Sequence, residues 1–167
     1  YLDGITYIVI TESSSLLGAF TTGQHDVNGA ILTRDQYEEF RDDGDFSVAT
    51  ALSLFYPVVH LKMRPPFDDV KVREAMDLAI NREEMINNIQ SGEGQFNGPV
   101  QWPQLKWSLP QDELREFYQY DTARAKTLLA EAGYPDGFTS RLKLPKISGA
   151  TFIADTAVLL KDQLGQV

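Results

Sequence analysis

The stretch "YDTARAKTLLAEAGYPDGF", residues 120–138, constrains the fold more than any other, because it carries both ends of a helix in its own residues. The Asp121 carboxylate is placed to cap the first turn. Ala125, Leu128, Leu129 and Ala132 recur at helical spacing and make one apolar face. Gly133 can take the left-handed conformation that ends a helix, Pro135 blocks continuation, and Pro135-Asp136-Gly137 is a turn signal. A segment punctuated this way folds as a short amphipathic helix that must bury its stripe against a partner element. No residue on that stripe can do chemistry.

A second run of the same kind is "RPPFDDVKVREAMDLAINREEMINNIQSGEG", residues 64–94. Pro65 and Pro66 hold off the helix until Phe67. Asp68 or Asp69 then caps it, and Val72, Ala75, Met76 and Ala79 form the buried stripe. Asn81 reads as a second cap with Glu84 at the capping-box position, so the helix bends there and ends at Gly92. Upstream, Ser13 can cap a helix through Phe20 with Gly23 past its end, and "TRDQ" at 33–36 fits a capping box with Leu32 placed to staple onto Tyr37. The pattern predicts helices near 13–21, 33–41, 69–90 with a bend near Asn81, 122–132 and 151–164. Strands are expected at "ITYIVIT" (5–11), "FSVATAL" (46–52), "FYPVVHLKM" (55–63) and "TSRLKLP" (139–145), from their β-branched and aromatic content. Residues 93–119 read as a long connector. Alternation of the two element types predicts an α/β fold, with a first unit of about 50 residues joined to the rest somewhere in 50–62.

Charge narrows the partners. The net charge of −9 leaves no basic footprint for nucleic acid and no polybasic membrane patch. The chain has no cysteine, which removes disulfides, thiolate metal sites and cysteine nucleophiles together. No apolar run approaches the roughly 20 residues of a membrane span. Residue 1 opens directly into a strand-like segment with no signal peptide, and both ends read as cut from a longer chain.

Candidate chemistry is sparse. His25 and His60 stand apart from each other. "HD" at 25–26 could be an acid–base pair or a surface histidine beside a carboxylate, and His60, inside an apolar run, is expected to be packed and hydrogen-bonded. "DDGD" at 42–45 fails the calcium-loop register, which would put Arg41 at a ligand position and Thr50 where the closing Glu belongs. "SGEGQFNG" at 91–98 misses the dinucleotide glycine spacing and follows a helix rather than a strand. Asp68 and Asp69 are adjacent and suit capping better than a catalytic dyad. Trp102 and Trp107 lie in the long connector among prolines. They either clamp that loop onto its own domain or form the aromatic wall of a ligand cleft. Local signals are spent on architecture, loops and aromatics, which favours a binding scaffold over an enzyme.

The two punctuated runs together resemble the peptide-binding class (family 5) of extracytoplasmic solute-binding proteins of ATP-binding-cassette importers. The resemblance rests on Pro66, Phe67, Asp69, Val72, Arg73 and Ala75, on Ala79, Ile80, Asn81 and Arg82, and on Asp121, Ala125, Leu128, Leu129, Glu131, Ala132 and Gly133. "SLLGAFTTGQHDV" resembles the family's upstream helix element. Leu61 stands where members often carry Asn, and Asn81 where they carry Asp. The resemblance implies a fragment of a bilobed, type II periplasmic-binding-protein-like α/β fold, with residues 1–53 in the first lobe and 54–167 at the start of the second. It implies capture of peptides or similar small solutes outside the cytoplasmic membrane and delivery to permease subunits, with periplasmic or lipid-anchored placement. It implies neither a cofactor nor catalysis. Tyr56, Trp102 and Trp107 are then the candidate ligand-binding aromatics. Nickel complexes, opines or sugars are the alternative ligands, and a hydrolase or a protein-interaction module the alternative classes.

Overall fold

A computed structural model describes residues 2–29, 32–49, 56–100, 106–145, 147, 150 and 152–167. Among the described residues seven helices run in chain order: α1 (Ser13–Thr21), α2 (Arg34–Asp42), α3 (Val70–Leu78), α4 (Arg82–Gln90), α5 (Gln111–Phe117), α6 (Thr122–Glu131) and α7 (Phe152–Leu164). The chain divides into two compact units, Tyr1–Thr50 with Pro145–Thr151, and Ala51–Leu144 with Phe152–Val167. The expected 53/54 boundary lies outside the described residues.

The α/β expectation is not met within the described residues, which contain helices and no strand. The expected strand at 5–11 does not form, and Ile5, Tyr7, Ile8 and Val9 are exposed. The described parts of the other three candidates likewise form no strand, and Val58, Val59, Leu142 and Leu144 face solvent. The physical reason is that β-branched residues fit a pleated surface but do not supply one. A strand exists only when a neighbour completes its ladder of N–H and C=O bonds. Residues 50–55, which belong to two of the candidates, lie outside the described residues.

In the first unit, α1 and α2 bring three phenylalanines together. The Phe20 ring lies 5.8 Å from Phe40 and 5.2 Å from Phe46, and Phe40 and Phe46 are 4.9 Å apart edge to face. Offset and edge-on contacts of this kind add to simple burial. The cap of α1 corrects the expectation for Ser13. Ser13 is the first helical residue, and Glu12 is the N-cap, accepting from the Ser14 and Ser15 amides at 3.1 and 2.6 Å. At α2 the capping box forms as expected, with Thr33 and Gln36 satisfying each other's amides.

In the second unit, α3 packs on α6 and α4 on α7. Val72, Ala75 and Ala79 from the α3 side meet Ala125, Leu128 and Leu129 of α6 in one buried cluster, flanked by Phe67, Tyr134 and Phe138. Three alanines at the contact let the two helix axes approach closely, so the stripe is narrow and dense. Asp69 caps α3 and Asp121 caps α6, each accepting an amide proton at 2.8 Å. The Asp121 amide also donates to the Leu78 carbonyl at 2.9 Å, which ties the end of α3 to the start of α6. Gly133 sits at φ +93°, and the Tyr134 and Gly133 amides close back on Leu129 and Ala130. That is the left-handed helix stop read from the sequence.

The bend at Asn81 is also present, but its capping differs in one respect. Asn81 accepts from the Glu84 amide at 3.0 Å, while the Glu84 carboxylate does not return to the Asn81 amide. Gln163 of α7 takes that place. Its Oε1 accepts from the Asn81 amide at 3.1 Å, and its Nε2 donates to the Asn81 carbonyl at 3.3 Å and to Glu84 Oε2 at 2.8 Å. Gln163 is 2% exposed, so a buried side chain 82 residues away completes the cap.

Candidate functional site

The sequence-derived aromatics sit in different settings. Trp107 is 70% exposed, with the Lys106 ammonium 5.3 Å from its ring centroid, so its indole is not packed into its own unit's core. Tyr56 is half-buried. Trp102 lies outside the described residues. The two histidines do not form chemistry together. His25 stacks on Phe20 at 5.4 Å, and its Nε2 is buried with no hydrogen-bond partner among the described residues. His60 is exposed, which corrects the expectation of a packed histidine; among the described residues no strand forms beside the run around it to bury it. In the "DDGD" loop, Asp43 Oδ1 accepts from the Asp45 amide at 3.0 Å, a turn contact. No group of three or more His, Cys, Asp or Glu side chains converges among the described residues.

One concavity in the second unit was not foreseen. A pocket of about 370 Å³ opens between the start of α4, the end of α5 and the chain around Phe96. Its walls include Arg82, Glu83, Phe96, Arg115, Tyr118 and Tyr120. Two arginines lie over aromatic rings there: the Arg82 guanidinium is 4.2 Å from the Tyr118 centroid, and that of Arg115 is 5.2 Å from Phe96. Arg115 Nε donates to Glu83 at 2.6 Å, and Arg82 pairs with Asp77. The wall is held in place by Gln111, whose amide donates to the Phe96 carbonyl and accepts from the Phe96 amide, both at 2.9 Å. Gly98 passes so near α5 that a Cβ there would lie 2.9 Å from Leu114 Cδ2. The signal that could have found this site is the first turn of α5: Pro110 before it, then Asp112 and Glu113 inside it, with Leu114 and Phe117 spaced on one side.

Carboxylates serve the architecture. Hydrogen bonds from the Ser14 hydroxyl and from the Ser15 and Ser14 amides lower the Glu12 pKa to about 2. The Lys71 ammonium, 2.9 Å away, holds Glu131 below the usual carboxylate range and bridges α3 to α6. Neither group points toward a general acid poised near neutrality.

This arrangement is that of a helical scaffold with exposed aromatics, and comparison with known proteins gives the class a family. The whole chain, residues 1–167, matches the family described as "Bacterial extracellular solute-binding proteins, family 5 Middle". The chain belongs to this family. Among curated proteins it is 27% identical over 178 residues to the oligopeptide-binding protein AppA of Bacillus subtilis, covering 100% of this chain and 32% of the relative. It is 29% identical over 142 residues to the glutathione-binding protein GsiB of Pectobacterium atrosepticum, covering 84% and 27%. It is 43% identical over 76 residues to heme-binding protein A of Haemophilus influenzae, covering 45% and 13%. The chain thus spans about a third or less of the length of these relatives. No solved structure gives a significant match. The relatives are named as binding proteins.

Proposed function

We propose that the chain is part of the solute receptor of an ATP-binding-cassette importer, which captures peptides or similar small solutes outside the cytoplasmic membrane and hands them to permease subunits. The observation that carries this reading is the match of all 167 residues to the solute-binding family. The names of two relatives, an oligopeptide-binding and a glutathione-binding protein, support putting peptide-like solutes first among the ligands. In this reading residues 1–53 belong to the first lobe of a bilobed, type II periplasmic-binding α/β fold and 54–167 to the start of the second. The receptor stays outside the cell by periplasmic retention or a lipid anchor. It binds without catalysing.

The relatives differ in the ligand their names give, while this chain aligns with all of them. That supports assigning the punctuated helices to shared scaffold, with ligand choice left to loops. Tyr56, Trp102 and Trp107 are the residues of this chain proposed to face the solute, and the exposure of the Trp107 indole supports that role over a loop clamp. Aromatic faces suit peptide-like solutes because they bury apolar side chains without demanding one sequence. The test is calorimetric titration of the full-length protein with di-, tri- and oligopeptides and with reduced glutathione, for the unmodified protein and for Trp102→Ala and Trp107→Ala. Saturable peptide binding that weakens in either variant, at unchanged melting temperature, supports the reading. Absence of binding to every peptide, or turnover of them, overturns it.

A further inference from the structure

The pocket beside α4 and α5 shares no lining residue with the aromatic set proposed for the solute cleft, and it carries chemistry of its own. We propose that it is a second binding site, for a small carboxylate on an apolar body such as an arylacetic acid. Its volume, about 370 Å³, suits a ligand of that size. The walls carry two guanidinium groups, each paired with one carboxylate: Arg115 Nε donates to Glu83 at 2.6 Å, and Arg82 pairs with Asp77, which lies behind the lining. Arg82 gives its two terminal nitrogens to the Asp77 side chain and carbonyl, a pairing that does not use its Nε.

Stacking matters for what these arginines can hold. A guanidinium lying over a ring, as Arg82 does on Tyr118 and Arg115 on Phe96, spends its face on the aromatic system and keeps its N–H donors in the plane at its edge. A planar carboxylate is the anion that matches such an edge. The start of α4 adds to the field. Asn81 satisfies the Glu84 amide, while the Arg82 and Glu83 amides of the same turn lie outside that cap and give the helix end its positive partial charge. The apolar body of the ligand meets the rings of Phe96, Tyr118 and Tyr120. A cation of the same shape has to compete with the two arginines for Glu83 and Asp77.

Because the walls come from α4 on one side and from α5 and its flanks on the other, an occupant ties them together and stabilises the protein by an amount that rises with the logarithm of its concentration above Kd. The proposal does not depend on the identity of the solute in the cleft. The probe is phenylacetate, titrated calorimetrically and by thermal shift into the full-length protein, with benzylamine as the probe of similar shape and opposite charge. Saturable phenylacetate binding is expected, with no saturable binding of benzylamine. Arg82→Gln and Arg115→Gln are each expected to weaken it by roughly tenfold or more, the loss of a charge-assisted hydrogen bond. Should Arg82→Gln lower the melting temperature by itself, Arg115→Gln, whose side chain is half-exposed, decides the matter. The proposal is overturned by absence of saturable phenylacetate binding, by equal binding of benzylamine, or by undiminished binding in Arg115→Gln. Loss of phenylacetate binding in Trp107→Ala with retention in Arg115→Gln also overturns it, because the carboxylate then sits in the cleft.

Discussion

Single side chains cap α1, α2, α3, α4 and α6, and each can be tested by itself. Glu12 caps α1 with a carboxylate whose pKa is lowered to about 2 by the Ser14 hydroxyl and the Ser14 and Ser15 amides. A carboxylate depressed in the folded state stabilises above its ordinary unfolded value, and the contribution disappears as pH falls through the folded one. Proton NMR of the Ser14 and Ser15 amides should therefore show a titration midpoint near 2; a midpoint in the ordinary range near 4.3 would show that the cap is not made. Gly133, at φ +93°, has no atom within 4 Å of where a Cβ would stand, so Gly133→Ala meets no clash and only backbone strain. The expected loss is about 1 kcal/mol, close to that for Asp121→Ala through its lost cap. Unchanged chemical denaturation of the full-length protein for both would contradict the punctuation of α6. Gln163→Leu keeps the volume but leaves the Asn81 amide and carbonyl and Glu84 without their buried partner, at a loss of about 1–3 kcal/mol. An exposed polar substitution such as Asp162→Asn should change little by comparison.

At the scale of elements, what the sequence discloses depends on whether the determinants are local. Helices α2, α3, α4 and α6 were legible because cap, stripe and stop lie within about a dozen residues of each other. The Asn81 bend was legible for the same reason, but its completion by Gln163 was not, since that contact spans 82 residues. Helix α5 was hidden by its setting. Prolines and tryptophans around it made residues 93–119 read as one connector, although Pro110, Asp112 and Glu113 mark a helix start. The pocket went unread with it, because Arg82 and Arg115 are ordinary surface residues until α5 brings them to one concavity. Gln111→Ala tests how far α5 depends on tertiary support. Losing both bonds to Phe96 should release the pocket wall and raise amide exchange across Gln111–Phe117, leaving the α3–α6 pair unchanged. Equal exchange in both proteins would show that α5 holds itself.

At the scale of the whole molecule, the expected strands that do not form are the informative part. Ile5, Tyr7, Ile8 and Val9 are all exposed, at positions that alternate between both faces of a strand, and Leu142 and Leu144 expose one apolar face of a second segment. Exposed apolar runs of this composition are costly in water and fit a pleated surface buried on two sides. The oligopeptide-binding relative is roughly three times as long as the segment it shares with this chain, so a bilobed fold of that length has further chain to complete such a sheet. In the proposed bilobed fold the prediction is specific. Hydrogen exchange on the full-length protein should find the amides of 5–9 and 140–144 protected to the level of the α3–α6 core. The 167-residue chain alone should exchange them at near-unprotected rates and bind a hydrophobic dye. Fast exchange at 5–9 and 140–144 in the full-length protein would mean that these segments are surface loops. The layered α/β reading of this part of the chain would then fail, while the helices, whose caps are local, would stand.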